Sequence, residues 1–230
     1  MKSVEKETLN VQNELKTAIS QLESLLALTP ASIHEKTLEN FYKWISAQVE
    51  LLVAEQKPFS VPADALPKTI KKSSFEFFAK KYSKVKECYC SDNMGCYSRK
   101  SGISSEDATS LYRAMYLRPR NIVWIDFGFN VGCEFGGKHP ALILKNLGKH
   151  ALMVAPISTN KENTHSISNT IVTFSPDDCC DMQSKRERFT DITRITPVSV
   201  YRVCVGSAVG SLRREKHDEV LSKIRKYYGE

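Results

Sequence analysis

Cys133, Glu134, Lys138 and His139 fall within one short stretch beside Gly136-Gly137, in the polar loop 128–140. Histidine has an ordinary pKa of about 6.5, close to working pH, so its ring can take or give a proton. Lysine adds a compact point charge suited to an anion. Glu134 can order the loop or touch a ligand. A cysteine attacks only as its thiolate, and Cys133 has no preceding helix end or local triad to activate it. The paired glycines permit positive φ or a close backbone approach. The loop is no phosphate-binding G-x4-G-K-(S/T) motif, because that spacing is absent.

The other cysteines offer less. Cys88, Cys90 and Cys96 are spaced C-x-C-x5-C with no histidine nearby. Structural zinc sites present C-x2-4-C pairs with a second pair further on, so no metal and no cofactor are expected. Cys179-Cys180 sits in the acidic turn SPDDCCD and has no assigned role. Seven cysteines cannot all pair within the chain, which favours free thiols in a reducing, cytoplasmic compartment.

Two strand-like runs, 122–127 and 141–144, must hold that loop. Further short apolar runs cover 151–157, 170–174, 190–195 and 201–205. Gly148, Asn160, Asn163, Pro176 and Pro197 punctuate them, and a helix is expected over 212–228. Many short strands between turn residues read as a small sandwich or barrel. Asp191 and Arg194 lie three apart in one run, and on an extended chain such positions face opposite sides unless a bulge intervenes.

The first half differs in period. Val11, Leu15, Ala18, Leu22 and Leu25 make a narrow apolar seam over 4–28. Thr29-Pro30 stops that helix. A second helix is expected from about 32 to 56, with Ser32 and Glu35 as a capping box. Together they form a helical hairpin over 4–56. Residues 57–67 contain three prolines and read as a linker. Residues 68–86 carry seven lysines and one glutamate interleaved with Phe75, Phe77, Phe78 and Tyr82. Such a segment is either a basic surface whose aromatics stack on unpaired bases or an amphipathic helix with core aromatics and solvated lysines. Residues 88–104 read as a loop, and 105–117 as a helix capped by Ser105 with acids in its first turn.

The formal net charge is +7, spread as +3 over 1–118 and +4 over 119–230. A basic balance suits a polyanionic partner. No apolar run approaches the 18–20 residues that span a bilayer, and no secretory h-region begins the chain, so no membrane is expected.

Taken together, 118–230 resembles the PemK/MazF family of toxin endoribonucleases. The resemblance rests on Ile122-Val-Trp-Ile-Asp-Phe127, Gly132-x-Glu134, Gly136-Gly137-x-x-Pro140, Val154-Ala-Pro-Ile-Ser158 and Asp191-Ile-Thr-Arg194-Ile195. It implies a small SH3-like β-barrel domain over 118–230; nothing in 1–117 resembles that family, and the helical N-terminal domain read there from periodicity makes the chain α+β. The resemblance also implies metal-independent cleavage of single-stranded RNA, a homodimer and an antitoxin partner. Cutting RNA without a metal needs a base for the 2′-hydroxyl, a donor for the phosphate and an acid for the leaving oxygen. His139 stands where the family typically has arginine, and is read as acid or base. Ser158 matches a family hydroxyl that donates to phosphate, with Thr159 as substitute, and Asp191 matches a family acid. Lys138, Glu134, Arg188 and Arg194 are read as substrate-binding. The alternative is a barrel without catalysis that binds nucleic acid or protein, its helical extension a dimerisation or antitoxin-like element.

Overall fold

The structure, a computed structural model, describes residues 16, 17, 20, 24, 35–91, 95–128, 136–159, 169–180, 186–207 and 210–229. The chain divides into two compact units, 1–46 and 47–230. Most of the helix expected over 4–28, and with it the hairpin, lies outside the described residues. The second expected helix is α1 (Glu35–Glu55).

Within the second unit, the segment 68–86 is not one helix. Ile70 is buried between exposed Thr69 and Lys71, so the chain starts as a strand, β1 (Thr69–Lys71). It then turns into α2 (Lys72–Ala79) and α3 (Lys84–Cys88). Strands β2 (Tyr89–Ser91) and β3 (Cys96–Arg99) follow, giving a three-stranded sheet in the order β1-β3-β2. The span 88–104, expected as a loop, therefore holds two strands, β2 and β3, with Cys90 opposite Ser98. Phe75 stacks on Tyr97 at 3.6 Å, and Phe78 is buried.

Helix α4 (Ser105–Tyr116) is capped by Ser104 rather than Ser105: the Asp107 amide donates to the Ser104 hydroxyl at 3.1 Å. Ser105 instead donates to the Val61 carbonyl at 3.3 Å. That contact helps hold the proline-rich 57–67, which is no free linker. The Arg99 guanidinium bonds the Ala63 carbonyl and also the Leu66 carbonyl at 2.7 Å, while Val61 and Leu66 are buried. A short 3-10 turn, Ala63–Ala65, lies between these two buried residues.

The larger sheet contains β4 (Asn121–Asp126), β5 (Lys138–Asn146), β6 (Ala151–Thr159), β7 (Ile171–Phe174), β8 (Cys179–Cys180), β9 (Arg188–Asp191), β10 (Thr196–Ser199) and β11 (Gly210–Leu212). Its order is β7-β9-β6-β5-β4-β11-β8. One edge of β6 is shared: β10 pairs with 151–154 and β9 with 157–159. Pro156, which has no N–H to offer, sits between the two partners. Past β10, Val203 bridges back to Ile125 on β4, leaving the barrel nearly closed. The 201–205 run is thus a 3-10 turn and a single bridge, not a strand.

Strands β4 to β6 are buried on both faces. On one face Val123, Ile125, Ala141, Ile143 and Val154 join Leu66, Leu111 and Tyr112 from the segment before the barrel. On the other, Ile122, Leu142, Ala155 and Ile157 meet Phe174 and Val220, the last from α5 (Arg214–Tyr228). Burial on both faces explains why these strands read as unbroken apolar runs. The architecture is α+β, with helices ahead of a nearly closed C-terminal barrel. The composition changes at 117/118, whereas the packing division falls at 46/47, because 61–117 shares a core with the barrel strands.

Candidate active site

The β4–β5 hairpin positions the loop that carries His139. Its register runs from Ile122 opposite Leu142 to Asp126 opposite Lys138. The loop is pinched at its base: the Phe127 amide donates to the Gly137 carbonyl at 2.9 Å, and the Gly128 amide to the Asp126 carboxylate at 2.9 Å. Gly128 and Gly137 take φ of 81° and 72°, left-handed values that favour glycine. Cys133 and Glu134 lie outside the described residues.

His139 is half-buried and pairs with Ile125. On its other side, Ala141 pairs with Pro156 of β6. That ladder ends there, two residues short of His139 on β5 and of Ser158 on β6. Ser158 is itself opposite Phe189 of β9. Side chains alternate along a strand, so His139, Ser158 and Asp191 share one sheet face with Ala141 and Phe189. Lys138, Thr159 and Arg188 belong to the other face, and Thr159 pairs directly with Arg188. Arg188 Nε is buried with no hydrogen-bond partner among the described residues.

Asp191 and Arg194 depart from the extended geometry expected of them. Strand β9 stops at Asp191, and residues Ile192–Arg194 form a 3-10 turn. The Asp191 carboxylate caps that turn, accepting from the Thr193 amide at 3.0 Å and hydroxyl at 2.8 Å. A 3-10 turn brings residues three apart together, so Arg194 Nε lies 3.7 Å from Asp191 Oδ2. The carboxylate is engaged in holding the backbone.

Arg202 is a polar residue that sequence reasoning missed. Its guanidinium donates to the Asp126 carbonyl at 3.1 Å and to Gln48 Oε1 at 2.9 Å. Nothing local in VYRVC announces this, since one contact spans 154 positions. A cavity of about 300 Å³ lies here, lined by Gln48, Leu51, Asp126, Lys138, Arg202 and Cys204 among others. Lys138 thus opens onto a recess walled by the last turns of α1.

Cys179 and Cys204 are poor nucleophiles in this setting. Burial pushes Cys179 up to about 11, helped by the nearby Asp178. Burial also raises Cys204, although the Lys138 ammonium opposes it. Among the described residues no three of His, Cys, Asp and Glu converge as metal ligands would, and no helix is long and apolar enough to cross a membrane.

Residues 118–228 match the family described as PemK-like, MazF-like toxin of type II toxin-antitoxin system. Among solved structures, MazF (Form-I) from Deinococcus radiodurans is 16% identical, with 49% of this chain and 96% of that chain covered at a TM-score of 0.37. MazE-MazF (Form-II) from the same organism is 16% identical, with 49% and 95% covered at a TM-score of 0.36. No curated protein sequence matches the chain.

Proposed function

We propose that this chain is a toxin-type endoribonuclease that cuts single-stranded RNA by metal-independent acid–base catalysis. The observation that carries this reading is that strand alternation puts His139 and Ser158 on one sheet face inside the segment matching the toxin family. The substrate's 2′-hydroxyl oxygen attacks the adjacent phosphorus and the bond to the 5′-oxygen breaks, leaving a 2′,3′-cyclic phosphate. His139 takes the 2′-hydroxyl proton or returns one to the leaving oxygen. Ser158 donates a hydrogen bond to a non-bridging oxygen, where negative charge builds in the transition state. Asp191 acts through the turn it caps, and there it orients Arg194 toward substrate.

Lys138 and Thr159 end β5 and β6 beside His139 and Ser158. A phosphodiester lying across these strand ends meets side chains from both faces, so Lys138, Thr159 and Arg188 bind neighbouring phosphates. Glu134 orders the loop against the strand. Single-stranded RNA is the substrate class because unpaired bases expose the edges by which a site selects sequence. The family description implies an antitoxin partner, and a homodimer is the assembly we assign.

The test is incubation of the purified full chain with a long single-stranded RNA in EDTA, mapping cuts and 3′ ends. The expected result is a few discrete cuts, each with a cyclic phosphate, and a loss of about 10²–10⁴-fold with His139→Ala. Cleavage that requires added magnesium overturns the mechanism. RNA that stays intact yet bound supports the second reading, a barrel that binds without cutting, which histidine in place of the family's usual arginine favours.

A further inference from the structure

Helix α2 and the turn that follows it carry an exposed aromatic and cationic surface that the barrel chemistry leaves unused. Phe77 is 45% exposed and Tyr82 37%. The Lys81 ammonium lies 5.0 Å from the Phe77 ring centre. The Arg118 guanidinium lies 5.3 Å from Phe77 and 5.0 Å from Phe78. Phe78 is buried and meets Phe77 edge to face at 5.3 Å, so the core fixes the exposed ring in place. Lys71, Lys80 and Lys86 are exposed around it.

Scattered apolar residues on a surface need no explanation. Arg118 does. It is half-buried, and burial holds its pKa below the usual arginine range. Among the described residues no carboxylate lies within 4 Å of it. The two acids of the α2–α3 stretch pair with lysines, Glu76 with Lys72 at 4.0 Å and Glu87 with Lys84 at 3.3 Å. A partly desolvated cation without a counter-ion among the described residues, held against an exposed aromatic ring, suits an anion with a flat neighbour.

We propose that Phe77, Tyr82, Lys81 and Arg118, with the surrounding lysines, form a docking surface for single-stranded RNA outside the barrel. Phosphates take the cations, and unpaired bases stack on the exposed rings and on the guanidinium plane. Duplex bases are already stacked on one another and cannot do this. The surface anchors the strand and takes no part in chemistry. It rests on the proposed nuclease function only in the choice of RNA over other single strands, and binding is read here without cleavage.

The experiment is fluorescence anisotropy of a labelled 12-nucleotide single-stranded RNA of mixed sequence with the full chain carrying His139→Ala. Phe77→Ala is expected to weaken binding about tenfold. Lys80→Glu with Lys81→Glu is expected to lower the salt dependence of binding by roughly 0.7 per lost phosphate contact. Far-UV circular dichroism checks that each exposed-site variant stays folded. No binding, or unchanged affinity and salt dependence in both variants, overturns the surface. Equal competition by duplex RNA overturns the stacking component. RNA that the chain with His139 intact binds through Phe77 but never cuts leaves the surface standing and removes the nuclease reading. RNA that the chain with His139 intact cuts equally well with and without Phe77→Ala, with equal affinity, does the reverse.

Discussion

His217 shows how one buried group sets a pH limit on the whole fold. It lies on α5, only 6% exposed, with Nε2 lacking a partner among the described residues. Burial lowers its pKa first of all; the Arg120 charge adds to this, while Asp218, 3.8 Å away, opposes it. The native ring therefore resists a proton that the unfolded chain accepts at its ordinary value of about 6.5. Stability is fully present above that value and is lost as pH falls toward the depressed native pKa. Thermal melts should show Tm falling as pH drops below about 6.5, and His217→Gln should flatten that slope. A slope unchanged by the substitution would assign the acid sensitivity to other groups. Asp191 teaches the converse at the same scale. Its type and position read as a catalytic acid, yet its oxygens are committed to Thr193 and Arg194.

Among the elements, β5 carries the greatest responsibility, because it holds His139 at one end and fills two cores with the rest. Leu142 and Ile143 are both fully buried, on opposite faces. Leu142→Ala should lower the unfolding free energy by about 2–5 kcal/mol, combining lost transfer energy with a cavity that close-packed neighbours cannot fill. Leu147, just past the strand and 42% exposed, serves as the control, and its alanine variant should stay within about 0.5 kcal/mol of the parent. Urea titrations of the two variants measure both. Comparable losses would mean that β5 is not the packed centre described above.

At the scale of the molecule, the family match begins at 118 but the packing does not. The face formed by Val123, Ile125, Ala141, Ile143 and Val154 is covered by residues from 61–117. A fragment 118–230 would expose that face to water and should express insolubly or melt without cooperativity. A fragment 47–230 keeps both cores and should melt as a cooperative unit. Soluble yield and circular dichroism melts of the two fragments decide the point, and a well-folded 118–230 would sink it.

Local pattern was enough to read the period change near 121, the glycine-bounded hairpin loop, the closing helix and the apolar strands of the barrel. These depend on residue type and near-neighbour spacing, and the sequence displays both directly. Four further features needed the folded chain: the Arg202 bond to Gln48, the burial of the proline-rich segment, the split of 68–86 into strand and helices, and the turn that pairs Asp191 with Arg194. The first three rest on contacts between residues far apart in the chain, whose strength depends on burial and geometry that no local window contains. The fourth is short in range, but it depends on where β9 loses its pairing partners, and only the assembled sheet determines that.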